Sequence, residues 1–74
     1  MKLYIVYRTD AWLSYASRDV CGIFGSKANA IKEIMRNAKP ESKDAKFMLA
    51  EFGQTQGLDV NYQIEEINLN EWID

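Results

Sequence analysis

The sequence predicts an α+β fold: a small three- or four-stranded, mainly antiparallel sheet with one helix over 26–39 packed on one face. Three observations carry that expectation. Lys2 to Thr9 has the β-branched and aromatic content of a strand. Ser26 to Pro40 holds apolar residues at helical spacing between a capping hydroxyl and a helix breaker. Val60, Tyr62 and Ile64 alternate with Asn61, Gln63 and Glu65, which is the period of a strand.

In the first strand, Leu3, Ile5 and Tyr7 fall on one face and Tyr4, Val6 and Arg8 on the other. Both faces are largely apolar, so an interior strand is expected, with one face wholly covered. Asp10 to Asp19 breaks the pattern and reads as a long hairpin loop or a pair of frayed strand ends around Trp12, Leu13 and Tyr15. Val20-Cys21-Gly22-Ile23-Phe24 is a second apolar run, and antiparallel pairing with the first is the shortest connection. Within this run Cys21 reads as a small buried hydrophobe.

The helix then opens at Ser26, whose hydroxyl can accept from an orphan amide of the first turn. Ile31, Ile34, Met35 and Ala38 form its inward stripe, and Lys32, Glu33, Arg36 and Asn37 occupy the opposite arc. Pro40 stops it. From Ser42, the residues Ala45, Met48, Leu49 and Phe52 fit a second helix over 42–52 ended by Gly53, but Lys46 to Phe52 fits a strand as well. In the closing strand the apolar phase shifts by one after Glu65-Glu66, to Ile67 and Leu69, which calls for a bulge or for cover on both faces. Trp72 and Ile73 are expected to fold back onto the domain. The expected core contains Leu3, Ile5, Tyr7, Ile23, Ile31, Ile34, Met35 and Ile64.

Seventy-four residues make a single domain over 1–74, with 47% apolar and 27% charged residues as in ordinary globular chains. The charge is segregated. Residues 1–46 hold all nine Lys and Arg and five acidic residues, a formal +4, whereas residues 47–74 hold six acidic residues and no basic one, a formal −6. The lone Cys21 cannot form an internal disulfide, which favours a reducing compartment. No apolar run approaches the ~20 residues of a membrane-spanning helix, and the opening residues are too soon interrupted by charge for a secretory signal. A cytoplasmic protein with no membrane partner is expected.

There is no histidine, so the usual general base near neutral pH and the commonest metal ligand are both missing. One Cys without His cannot assemble a structural zinc site in one chain. Gly22-Ile23-Phe24-Gly25 lacks the spacing of a phosphate-binding loop. Asp59, Asn61 and Gln63 approximate a calcium loop, but Ile64 stands where its glycine belongs. Glu65 and Glu66 are consecutive in a strand and point to opposite faces, so they cannot flank one bond. No catalytic, cofactor-binding or metal-ligating residue is assigned, and no enzyme is expected.

Binding surfaces remain. Trp12, Leu13, Tyr15 and Arg18 are anchor-type residues on a loop, where a scaffold displays function. The bland alternative is that Trp12 or Tyr15 caps the small core. Glu65 and Glu71, with the other carboxylates of the acidic half, could steer toward a basic protein. Lys32, Arg36 and Lys39 share one helical arc and could contact phosphates, or they are the solvated side of an amphipathic helix. The basic and acidic halves could also attract each other between molecules.

The opening strand Lys2–Arg8, the junction Val20-Cys21-Gly22-Ile23-Phe24-Gly25-Ser26-Lys27-Ala28 and the ending Tyr62-Gln63-Ile64-Glu65-Glu66-Ile67-Asn68-Leu69 together resemble the small β-β-α-β domains of unknown function common in phages and mobile bacterial elements. In those, a first strand, a junction similar to G-V-F-S-S-x-x-x-A and a closing strand recur. The resemblance covers about half of the chain and leaves residues 41–59 outside it. It carries no binding or catalytic residues. It implies a setting: a compact accessory protein that binds a host protein and modulates it, in some cases by inhibition. The expectation is therefore a non-enzymatic protein-interaction module using Trp12, Leu13, Tyr15, Arg18, Glu65 and Glu71. The alternative is a nucleic-acid-binding domain using Lys32, Arg36 and Lys39, although the acidic half and a pI of about 5.0 oppose it.

Overall fold

A computed structural model describes residues 1–13, 16, 18–40 and 43–68. The chain runs β1 (Lys2–Thr9), β2 (Asp19–Phe24), α1 (Lys27–Asn37), α2 (Ala45–Phe52) and β3 (Asn61–Asn68). The strands form one antiparallel sheet in the order β2-β1-β3, so β1 is the interior strand, as its two apolar faces require. Val6 lies between Gly22 on β2 and Ile64 on β3, and both helices cover that face.

The helix α1 begins where Ser26 Oγ accepts from the Asn29 amide at 3.1 Å. Ala30, Ile31 and Ile34 are buried, with Met35 and Ala38 packed at the margin. Lys39 then adopts a left-handed φ of 46° immediately before Pro40, away from the helical geometry that a following proline disfavours. The segment open to two readings is a helix, α2, with Ala45 and Leu49 inside. Its expected cap, Ser42, lies outside the described residues, and Asp44 occupies the N-cap position, where its side chain does not cap the first-turn amides. Phe52, expected inside, is exposed and meets the exposed Phe47 edge to face at 6.0 Å between ring centres. Gly53 explains this. Its φ of 71° ends the helix in a left-handed turn, and its carbonyl accepts from the Ile64 amide at 2.7 Å. The chain therefore turns from α2 directly onto the outer edge of β3, where Gln54 bridges to Gln63. Among the described residues the sheet has three strands plus this one bridge.

The core is Val6, Ala30, Ile31, Ile34 and Leu49, flanked by Tyr4, Phe24, Met35, Ala38, Tyr62 and Ile64. Ile31, Ile34, Met35 and Ile64 stand where expected. Leu3, Ile5, Tyr7 and Ile23 do not: they lie on the other face of the sheet. The register gives the reason. Ile5 is opposite Glu65 and Tyr7 is opposite Gln63, so burying that face would bury polar groups, whereas Val6 is opposite Ile64 and Gly22. A side chain at Gly22 would meet the Phe24 ring at 2.9 Å, so the missing Cβ gives that ring its place against the core.

A second correction concerns the bulge. β3 pairs with β1 residue for residue over its whole length, and Ile67 simply faces Leu3 on the open side. The irregularity is in the hairpin instead, where the register steps from Val6↔Gly22 to Tyr7↔Val20 and leaves Cys21 without a counterpart. Cys21 is accordingly exposed rather than buried.

Candidate interaction surface

Both helices lie on one face of the sheet, and among the described residues no helix covers the other. Opposite residues in an antiparallel pair share a face, so this open face carries Leu3 beside Ile67, Ile5 beside Ile23, and Tyr7 beside Val20. Leu3, Ile5, Tyr7 and Ile67 are half-buried. Val20 and Ile23, on the outer strand, are 61% and 59% exposed.

Arg18 closes part of this face. Its guanidinium carbon sits 3.7 Å from the centre of the Tyr7 ring, and its Nη2 donates to Glu65 Oε2 at 2.9 Å. Only 14% of the Arg18 side chain is exposed. A largely desolvated cation over a ring contributes about 1–2 kcal/mol, and the ion pair fixes the guanidinium in that plane. Two residues singled out separately in the sequence, one on the loop and one on the last strand, are thus partners.

The loop that carries Trp12 is built from its base upward. The Leu13 amide donates to the Asp10 carbonyl at 3.2 Å, and the Trp12 amide to Asp10 Oδ1 at 3.0 Å. This turn leaves the Trp12 side chain at the surface, where the residue is 84% exposed, and Leu13 half-buried with a φ of 55°. Beneath it lies a buried polar cluster. Asn61 Nδ2 donates to the carbonyls of Asp10 and Leu58, at 3.3 and 2.9 Å, and Asn61 Oδ1 accepts from Thr55 Oγ1 at 3.0 Å. Thr55 Oγ1 in turn accepts from the Tyr62 amide at 2.9 Å, and Thr9 Oγ1 donates to the Asp10 carbonyl at 3.1 Å. Thr9, Thr55 and Asn61 are all buried. Strand alternation puts Asn61 on the solvent side; the one signal against this is its place just after the turn-type run Gln54 to Asp59, where polar side chains bond backbone.

Tyr15 and Glu71 lie outside the described residues, as do Trp72 and Ile73. Glu66, on the helix side, accepts from Lys2 Nζ at 2.9 Å. That hydrogen bond, and then the charge of Lys2, hold the Glu66 carboxyl below its ordinary pKa, and Lys2 is raised in return. The pairs Lys2–Glu66 and Arg18–Glu65 each join the basic half of the chain to the acidic half, so the two fields meet inside one molecule. Lys32, Arg36 and Lys39 are all exposed, with Arg36 3.8 Å from Glu33. Lys39 shares a cavity with Arg8 and Tyr62.

Among the described residues no cluster of three His, Cys, Asp or Glu could hold a metal ion, and no helix is long and apolar enough to cross a membrane. A groove of about 240 Å³ between β2 and α1 is lined by Val6, Cys21, Phe24, Ile34 and Tyr62, with Glu33 and Asn37 as its polar rim. No protein-family model, no curated protein and no solved structure matches the chain.

Proposed function

We propose that this chain is a non-enzymatic protein-interaction module that binds through the open face of its sheet and the loop above it. The observation that carries the reading is the one-sided sheet. Leu3, Ile5, Val20, Ile23 and Ile67 lie on the face that neither helix covers, beside the ion pair of Arg18 and Glu65, and the loop presents Trp12 almost fully to solvent. Apolar side chains rimmed by polar groups, with an exposed tryptophan, are what a protein partner desolvates to gain affinity. Trp12 and Leu13 supply anchors in this reading, Tyr15 adds to them, and Arg18 with Glu65 supplies a preformed polar contact. Glu71 and the other carboxylates steer toward a basic partner. The phage-type resemblance gives the setting, a cytoplasmic accessory factor that modulates or inhibits a host protein.

A second reading, nucleic-acid binding, rests on the exposed arc of Lys32, Arg36 and Lys39. It is weaker, since the acidic half of the chain and a pI of about 5.0 oppose binding to a polyanion.

The test is affinity capture from bacterial lysate with the wild type and a Trp12→Ala, Tyr15→Ala double variant. Wild type should retain a discrete set of proteins that the variant loses. Equal recovery by both would remove the loop from the site.

A further inference from the structure

The helix side of the sheet holds two cavities at the C-terminal end of α1, and they share a wall. One is the groove of about 240 Å³ between β2 and α1, whose apolar lining is Val6, Phe24 and Ile34. The other, of about 350 Å³, is lined by Arg8 and Lys39, with Asp59 among its remaining residues. Ala38 and Tyr62 line both. Small-molecule sites span roughly 300–1,000 Å³, mostly apolar with a few placed polar groups. The backbone sets the spacing of the two halves. Arg8 stands two residues beyond Val6 on the same face of β1, about 7 Å along the strand. Lys39 enters from the turn after α1, where its left-handed φ takes it out of the helix.

We infer that the two cavities form one site for a small organic carboxylate with an apolar body, of the chemistry of a medium-chain fatty acid. The body lies along Val6, Phe24 and Ile34, and the carboxylate sits between Arg8 and Lys39. Charge complementarity selects this occupant. Lys39 makes no hydrogen bond or ion pair among the described residues. Arg8 spends one nitrogen on Asp19, at 3.4 Å and with both side chains more than half exposed, and keeps its other donors. Asp59 pairs with neither cation, and at the cavity wall it penalises a dianion more than a monoanion. In the apolar half, the rim carboxylate of Glu33 is engaged by Asn37 Nδ2 at 2.9 Å and by Arg36 at 3.8 Å. A ligand without charge would leave the cations unused, and an inorganic anion would leave the apolar groove unfilled. The site lies on the helix side, so it stands independently of partner binding at the open face.

The isotope-labelled full chain, titrated with octanoate, acetate and octanol and followed by amide chemical shifts, tests this. Octanoate should saturate a single site at millimolar concentration or below, with the largest shifts at Val6, Arg8, Ala38, Lys39 and Tyr62. Acetate and octanol, each holding half of the required chemistry, should bind at least about tenfold more weakly. Arg8→Gln and Lys39→Gln, both at exposed positions, should keep the wild-type circular dichroism. Each should weaken octanoate at least about threefold and leave octanol unchanged. Octanol binding as tightly as octanoate overturns the inference. So do shifts confined to Leu3, Ile5 and Ile67 on the open face, the absence of saturable shifts, or two glutamine variants that bind octanoate like the wild type.

Discussion

At the scale of single residues, Asn61 carries more than its position in a strand suggests. Its amide nitrogen gives both protons to carbonyls, of Asp10 and Leu58, and its oxygen takes one from Thr55, all in a buried site. Asn61→Asp keeps the shape but turns an oxygen toward two carbonyl oxygens. A cost of about 3 kcal/mol in urea unfolding is expected from the lost donors and the buried charge. The same change at the exposed Asn68 should stay within about 0.5 kcal/mol. Equal effects at the two positions would show that the cluster does not hold the loop base. Lys2 and Glu66 make a second test. Because the Glu66 pKa is lowered in the folded chain, its contribution is present above the ordinary carboxylate value and is lost as pH falls through the folded one. Lys2 is raised, so its contribution is present below the ordinary lysine value and is lost as pH rises through the folded one. Carboxyl-carbon NMR should find Glu66 titrating below a free glutamate, and Lys2→Met should move it back up. An unmoved midpoint would mean the pair does not persist in solution.

At the scale of elements, the decisive question is which face of β1 the helices cover. Leu49→Ala, at a fully buried site on α2, should cost about 2–5 kcal/mol. Ile23→Ala should cost under about 1 kcal/mol, since that residue is more than half exposed. The reverse order in chemical denaturation would put the core on the opposite face. The helix α1 is legible in the sequence because its signals agree: the Ser26 cap, the stripe through Ile31 and Ile34, and the stop at Pro40. The buried face of β1 is not legible from β1 alone, because Tyr4 and Val6 are as apolar as Leu3 and Ile5. The information sits in the partner strands, in Gly22 and Ile64 on one side and Glu65 on the other, and becomes readable only once the register is known. Phe52 is misplaced by periodicity for a similar reason. Helical spacing assumes the helix continues, and Gly53 ends it.

At the scale of the whole molecule, the segregation of charge along the sequence becomes contact in space, since Lys2–Glu66 and Arg18–Glu65 stitch the acidic last strand onto the basic first half. Of the candidate binding residues, this closure of the sheet brings Arg18 and Glu65 together on the open face, which linear spacing could not reveal because 47 positions separate them. Trp12 is legible as an exposed anchor from its place in a polar loop. The apolar character of the open face is hidden as long as Leu3, Ile5 and Ile23 are assumed to fill the core. The most direct measurement of where this molecule binds is a chemical-shift map of the isotope-labelled chain titrated with a protein recovered by the wild type. The expected map has its largest changes at Trp12, Leu13, Ile5, Val20 and Ile23, with the outer arc of α1 unmoved. Changes confined to Lys32, Arg36 and Lys39 would contradict the open face as the interaction surface.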